Sequence, residues 1–197
     1  MKKLLCFFGF VVILLMVAMV QGGSVDSHQF GSSILRSVRP ESVVRPIPAR
    51  QWNSEARLWL ARSCAGEAGF GALEECSAIA WVYASRSGSS GVSFVTMVKD
   101  YSAAVKKDNR SGREWILGLQ LDGRKPKGWS KNLNWKKHKL LWGRMLAMLD
   151  VWSEGKIANP VESANHFGGA MDTPGRRWKR IIPKSYAPFR NRFYRSN

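Results

Sequence analysis

A single glutamate among glycines is the feature of this sequence best suited to chemistry. Glu67 follows the apolar run Leu58-Trp59-Leu60-Ala61, and glycines occupy positions 66, 69 and 71. An apolar run partly removes a carboxyl group from water and favours its protonated form, which allows a glutamate to donate a proton near neutral pH. Neighbouring glycines leave room for a bulky polymer and permit turns that other residues resist. The pattern predicts a catalytic acid, and an inert glutamate at a solvated helix end is the alternative.

Helical patterns surround Glu67 and must position it. Asn53-Ser54 offers an N-cap for a first amphipathic helix, a second pattern follows the glycines and ends near Ser87-Gly88, and a third runs from about Leu133 to Ser153. Between them, the segment from Ser89 to Asp100 predicts a loop and a short apolar stretch. Because no strand-like alternation of useful length occurs, the sequence predicts a mainly α fold.

The N-terminal part of the chain predicts export followed by a spacer. Lys2-Lys3 precede an apolar run from Leu4 to Val20, as in a secretory signal. The run is long for a cleaved signal and short for a membrane span, so residues 1–23 are either a signal peptide or a signal anchor. Residues 24–52, rich in Pro, Ser and Arg, predict a flexible linker. Residues 53–197 suffice for one domain, expected in the periplasm or cell envelope.

Two cysteines lie on either side of the candidate acid. If Cys6 leaves with a signal peptide, Cys64 and Cys76 remain as an even pair in an exported chain. They are either bridged, which would hold the turn around Glu67, or two small buried thiols. The three histidines are scattered and lack metal-ligand spacing with the cysteines, so the sequence predicts neither a metal nor a cofactor.

The chain is strongly basic. Its formal charge is +17, and +15 remains without residues 1–23, whose only charges are Lys2 and Lys3. All charged residues between Asp122 and Asp150 are basic, and no acid follows Asp172. Such a field attracts polyanions and weakens with salt. For an exported chain the expected partners are anionic envelope polymers or lipid head groups, and not nucleic acid. Aromatic residues among the bases are expected to stack on sugars: Trp129, Trp135, Trp178, Phe189, Phe193 and Tyr194.

A second constellation, residues 159–178, has the composition of a binding loop. Its glycines and prolines form turns, and Asn165, His166, Phe167 and Trp178 can contact a sugar. A lone histidine is more often a structural residue whose hydrogen bonds are made within the protein. His166 is therefore either a sugar contact or such a structural residue.

Several short motifs, taken in order, resemble the spore-cortex-lytic or cell-wall hydrolase family. They span about residues 56 to 180, and they are Leu60-Ala61-Arg62, Gly66-Glu67-Ala68, Ser85-Arg86-Ser87, Asp100-Tyr101-Ser102 and Ala164-Asn165-His166-Phe167, followed by Pro174 and Trp178. The resemblance implies a single lysozyme-like, mainly helical domain that cleaves the glycan strands of peptidoglycan, with Glu67 as the catalytic glutamate. The family usually has Gln-Phe-Ser and Thr-His-Tyr where this chain has Asp-Tyr-Ser and Asn-His-Phe.

The resemblance also implies a mechanism, that of a lytic transglycosylase with Glu67 as the single acid and base. Tyr101 and Ser102 would then position the sugar or its N-acetyl group. The remaining residues expected to contact substrate are Asp100, Asn165, His166 and Phe167.

Three other functions compete with this interpretation. A hydrolytic muramidase needs a second carboxylate across the bond, for which Asp100 or Asp172 is the candidate, since Glu74 and Glu75 are expected to face solvent. A non-catalytic cell-wall-binding protein of the same fold would tolerate replacement of Glu67. A cationic, membrane-active protein would depend on its basic C-terminal tail, residues 173–197.

Overall fold

The computed structural model describes residues 45–106, 114–169, 174–184 and 188–196. These ranges form a mainly helical fold, as the sequence predicts. The helices are α1 (Ser54–Glu67), α2 (Leu73–Ser90), α3 (Phe94–Tyr101), α4 (Glu114–Leu117) and α5 (Trp135–Ser153), after a 3-10 turn at Ala49–Gln51. The strands are β1 (His166–Gly168), β2 (Lys179–Ile181) and β3 (Arg192–Arg195). The expected signal or anchor, residues 1–23, lies outside the described residues.

Helix α1 is central and contacts each of the other four described helices. It begins at its N-cap Asn53, whose side chain accepts a hydrogen bond from the Ala56 N–H at 2.9 Å. Residues 60–65, most of the second half of α1, are all buried, so this stretch has no solvent-exposed face. Its small residues, Ala61, Ser63 and Ala65 among them, let neighbouring helices approach closely. The expected amphipathic pattern is therefore wrong for this half of the helix.

The core is built around Trp152 of α5. Its ring packs against those of Trp52, Trp81 and Phe94, with centroids 5.8 to 6.0 Å apart. Ile47, within the segment assigned to the linker, is also buried in this core. None of the helices in the described ranges has the length and hydropathy of a membrane span.

Helix α3 replaces the loop and apolar stretch that the sequence predicts. Ser93 caps it by accepting from the Thr96 N–H, and Phe94, Met97 and Val98 are buried. Helix α2 also continues beyond its predicted end, to Ser90, where Gly91 ends it in the left-handed conformation with φ of 69°.

The basic C-terminal segment contributes two strands of a small antiparallel sheet with the order β1-β3-β2. Phe167, Phe193 and Ile181 lie opposite one another on one face, and Phe167 packs on Tyr83 of α2 with centroids 5.4 Å apart. Each strand has only three or four residues, too few for the alternation that identifies a strand in a sequence.

Candidate active site

Glu67 is the last residue of α1, and the glycine before it has a packing role. A Cβ at position 66 would collide with the Cβ of Ala104 and lie 2.8 Å from Ile116 Cδ1. Only glycine therefore lets the turn after α3 pack directly on α1. The prediction that Gly66 leaves room for a polymer is wrong, because protein occupies that space. Beside Gly71, in contrast, a Cβ would meet nothing within 4 Å.

Two donors from this turn hold one oxygen of the Glu67 carboxylate. The Ser102 hydroxyl donates to Oε1 at 3.0 Å, and the Ala104 N–H donates to the same atom at 2.9 Å. The side chain itself is half-buried. These bonds fix the orientation of the carboxylate, and among the described residues none donates to Oε2.

A buried chain of hydroxyls leads to this carboxylate. Ser63 Oγ donates to Ser102 Oγ at 2.9 Å and lies 3.0 Å from Tyr83 Oη. Since the Ser63 hydrogen points to Ser102, the Tyr83 hydroxyl donates to Ser63, and all three hydroxyls are directed toward Glu67. Burial, and to a lesser extent the nearby Glu67 charge, raises the pKa of Tyr83 above its usual range, so the phenol stays protonated and donates.

Gly66→Ala is expected to destabilise the fold by about 1–3 kcal/mol, the typical cost of overpacking a core. The sign of this change in stability is informative, because replacing glycine by alanine in an unobstructed helix would stabilise the fold by up to about 1 kcal/mol. Gly71→Ala is the matched control and should leave stability nearly unchanged. Urea denaturation of both variants measures the effect, and equal stabilities would contradict the proposed packing of Ala104 on α1.

The three residues at the end of α3 differ in what they contact. Ser102 is fully buried and reaches Glu67, so its hydroxyl supports the carboxylate and is shielded from a substrate. Tyr101 is 54% exposed, and its ring lies under the Arg86 guanidinium, with Cζ 3.6 Å from the ring centroid. Asp100 is exposed, and no described contact joins it to Glu67. Asp172 lies outside the described residues.

The residues expected at the sugar subsite form contacts within the protein. The Asn165 side chain exchanges two hydrogen bonds with Ser196, each 2.9 Å long, which tie β1 to the end of the chain. The His166 ring stacks on Trp178, with centroids 3.9 Å apart. Phe167 packs on Tyr83, the first member of the hydroxyl chain.

Arg86 of α2 links these two groups of residues, although the sequence assigned it no role. Its Nη1 donates to the Asn165 carbonyl at 3.0 Å and lies 2.6 Å from His166 Nδ1. A guanidinium only donates, so Nδ1 accepts, and the neutral imidazole carries its hydrogen on Nε2. The cluster borders a cavity of about 210 Å³ lined by Arg86, Ser89, Ser90, Met97, Tyr101, Asn165, His166 and Ser196.

His166 is expected to make stability depend on pH in the range below the ordinary histidine pKa of about 6.5. Burial, and then the Arg86 cation, lowers the pKa of His166 below its ordinary value. The unfolded chain therefore binds the proton more readily, and the stability contributed by neutral His166 is present above the ordinary pKa and lost as pH falls through the folded pKa. Thermal melting of wild type and His166→Gln over this range should show a steeper loss for wild type, and parallel curves would contradict the shift.

A disulfide joins Cys64 of α1 to Cys76 of α2, with the Cα atoms 5.1 Å apart. Of the two alternatives for these cysteines, the bridge is correct and the pair of free thiols is wrong. The bridge connects the two helices that enter and leave the Glu67 turn.

The expectation for Glu75 is wrong, because this carboxylate is 2% exposed. Its Oε1 accepts hydrogen bonds from the backbone N–H and the side-chain amide of Asn191, at 2.7 and 2.8 Å. This pair was not predicted from sequence patterns, since its members are 116 residues apart. Glu74, as expected, is exposed.

Two of the three tryptophans expected to stack on sugars, Trp129 and Trp135, pack on each other, with centroids 4.9 Å apart. Phe70, three residues after Glu67, lies against the rings of Trp115, Trp129, His138 and Trp142 at centroid distances of 5.4 to 6.1 Å. Trp129 is only 6% exposed, and Phe193 and Tyr194 are also buried, so sugar stacking by these three is excluded. Trp178 keeps 36% of its surface exposed.

The C-terminal sheet presents a basic surface. Lys179 of β2 lies directly opposite Arg195 of β3, an arrangement of like charges that is unfavourable without a counter-ion. Lys184 pairs with Glu162. The exposed bases of the described residues after position 174 are Arg176, Arg177, Lys179, Arg180, Lys184, Arg190, Arg192 and Arg195.

Within the described ranges, no group of three or more His, Cys, Asp or Glu residues is arranged to hold a metal ion. Comparisons of the chain with protein-family models, curated proteins and solved structures give no significant match. Function is therefore inferred from the geometry of the site.

Proposed function

We propose that this protein cleaves the glycan strands of peptidoglycan as a lytic transglycosylase, with Glu67 as the single acid and base. The observation that carries the proposal is the half-buried Glu67 carboxylate, held at Oε1 by Ser102 and Ala104 at the end of a buried hydroxyl chain. A carboxylate held in one orientation, with its second oxygen outside these bonds, is suited to transferring a proton. We further propose that the mainly helical domain is lysozyme-like.

In the proposed first step, Glu67 donates the proton on Oε2 to the glycosidic oxygen, and the bond between that oxygen and the anomeric carbon breaks. The C6 hydroxyl of the same muramic acid attacks the anomeric carbon, and the Glu67 carboxylate accepts the hydroxyl proton. Glu67 is thereby restored to its acid form, and the product is a 1,6-anhydro sugar. The high effective concentration of a hydroxyl in the same molecule can lower the activation barrier by up to roughly 7–11 kcal/mol. Neither a positioned water nor a second carboxylate is therefore needed.

One carboxylate near Glu67 in the sequence, that of Glu75, is not available as a second catalytic group. A muramidase needs its second carboxylate at a defined distance across the bond. Glu75 is engaged by Asn191, and Asp100 is exposed on α3 without a described contact to Glu67. The hydrolytic mechanism, with Asp100 or Asp172, remains an outcome of the experiment below.

We assign the substrate contacts to exposed side chains near the cavity. Tyr101 and Trp178 are the exposed rings beside Arg86 and His166, and they offer faces for a sugar. Asn165, Phe167 and Ser102 are assigned supporting roles, because they are engaged by Ser196, Tyr83 and Glu67, respectively. His166 can still donate from Nε2.

The basic sheet surface is proposed to attract the polymer to the site. The chain has no acidic residue after Asp172. Stem-peptide carboxylates, anionic envelope polymers or lipid head groups would therefore neutralise the exposed arginines and lysines of this surface. This role requires an exported protein, in keeping with the proposed signal peptide or anchor at residues 1–23.

Product analysis tests the proposal. Purified full chain and its Glu67→Gln variant are incubated with peptidoglycan, and the released muropeptides are identified by mass. Anhydro-muramyl products from wild type alone would support the transglycosylase. Reducing-end products, heavier by one water, would replace it with the muramidase. Binding without release by either protein would replace both with a wall-binding function.

A further inference from the structure

We propose that Asn191 is a positioning residue for Glu67, and that the buried carboxylate of Glu75 orients it. This inference rests on the proposed function of Glu67. It adds a second point of attachment, on the backbone of the catalytic residue and from the opposite end of the chain.

The Asn191 side-chain amide bridges two acceptors. Its Nδ2 donates to the backbone carbonyl of Glu67 at 3.2 Å and to Glu75 Oε1 at 2.8 Å. The Asn191 backbone N–H donates to the same Glu75 oxygen at 2.7 Å. Because both side-chain partners are acceptors, only the NH₂ group can face them, and the orientation of the amide is determined. Asn191 is 7% exposed, so water does not compete.

The bond to Glu67 satisfies a helix end. The last carbonyls of a helix have no partner within the helix. Here the Ala68 and Gly69 N–H groups both donate to the Cys64 carbonyl, while the Asn191 side chain donates to the Glu67 carbonyl. The chain then reverses at Gly69, with φ of 91°. Asn191 therefore holds the point at which α1 ends and the catalytic side chain departs.

Glu75 makes this attachment rigid. A buried carboxylate is costly unless it is hydrogen-bonded, and bonds to a charged acceptor are stronger than those between neutral groups. Glu75 accepts two hydrogen bonds from Asn191. It also lies in the first turn of α2, where the helix dipole favours negative charge. The result is a fixed connection from α2, through Asn191, to Glu67.

Glu67 is thus held from two sides. Ser102 and Ala104 hold its carboxylate, and Asn191, the residue before β3, holds its main chain. Removing the bond from Asn191 to the Glu67 main chain should lengthen the hydrogen bond between the carboxylate and the Ala104 N–H. The substrate-contacting residues should stay in place.

Asn191→Ala tests this inference with two readouts in the full chain. The first is the amide proton of Ala104 in NMR spectra, which reports the hydrogen bond to Glu67 and needs no substrate. We expect it to move upfield as that bond lengthens. The second is cleavage of soluble glycan strands, for which we expect kcat to fall roughly 10- to 100-fold, as for a small misplacement of a catalytic group, with KM nearly unchanged.

Asn134→Ala is the matched control, because it also removes an asparagine side chain bonded to a helix end, the Lys137 N–H in the first turn of α5. It should alter neither readout. If Asn191→Ala does not fold, Asn191→Ser carries the test, since its shorter side chain also withdraws from the Glu67 carbonyl.

The outcomes separate this inference from the proposed function. An unmoved Ala104 amide, or a loss in KM instead of kcat, would overturn the positioning role while Glu67 remains the catalyst. An active Glu67→Gln variant would overturn the proposed function, and a shifted Ala104 amide in Asn191→Ala would still demonstrate the connection.

Discussion

Glu67→Gln is expected to abolish peptidoglycan cleavage and to leave the fold intact. Glutamine has the same shape, and its carbonyl oxygen can still accept from Ser102 and Ala104, but it cannot give or take the proton. General acid and base catalysis typically contributes a factor of about 10² to 10⁴. Because Glu67 is proposed to act in both roles, we expect a loss near the upper end of that range.

The initial rate of muropeptide release measures this loss, and thermal melting checks the fold. Glu55→Gln is the control, since Glu55 lies at the other end of α1, is exposed, and forms a surface ion pair with Lys99. Such pairs contribute little to stability, so this variant should cleave at the wild-type rate. Wild-type activity in Glu67→Gln would refute catalysis by Glu67 and favour a wall-binding protein.

Loss of the Cys64–Cys76 bridge is expected to have the largest effect on stability. The bridge closes a short loop, its ends 12 positions apart, and cross-links of this size stabilise by about 3 kcal/mol in the loop-closure model. For a domain of this size the melting temperature should fall by roughly 10 °C. Both cysteines are fully buried, so the Cys64→Ala/Cys76→Ala variant also loses core contacts.

Guanidinium denaturation of wild type with and without a reducing agent measures the contribution of the bridge. The double variant is the control, because a reductant should not change its stability. Activity should fall along with stability, since the bridge joins the helices on either side of the Glu67 turn. Equal stability of oxidised and reduced wild type would mean that the bridge contributes nothing to the folded state.

Local patterns in the sequence determined the helical framework. The cap at Asn53 and the apolar periodicities of α2 and α5 predict these helices to within a few residues at most of their ends, because caps and side-chain spacing act over one or two turns. The even pair of cysteines limited the bridge to one pairing. The concentration of glycines around Glu67 identified the residue on which the proposed function rests, and that role stays a prediction.

Only the tertiary structure decided what surrounds Glu67. Gly66 is needed because Ala104 packs on it, Ser63 and Tyr83 belong to the site because three helices meet there, and Glu75 is buried because Asn191 reaches it across 116 positions. The aromatic residues among the bases are mostly internal for the same reason. Contacts between distant segments leave no periodicity in the sequence, whereas helix caps and helix faces do. The sequence by itself therefore specified α1, α2 and α5 and the candidate acid, and the packing of distant segments specified the support of that acid.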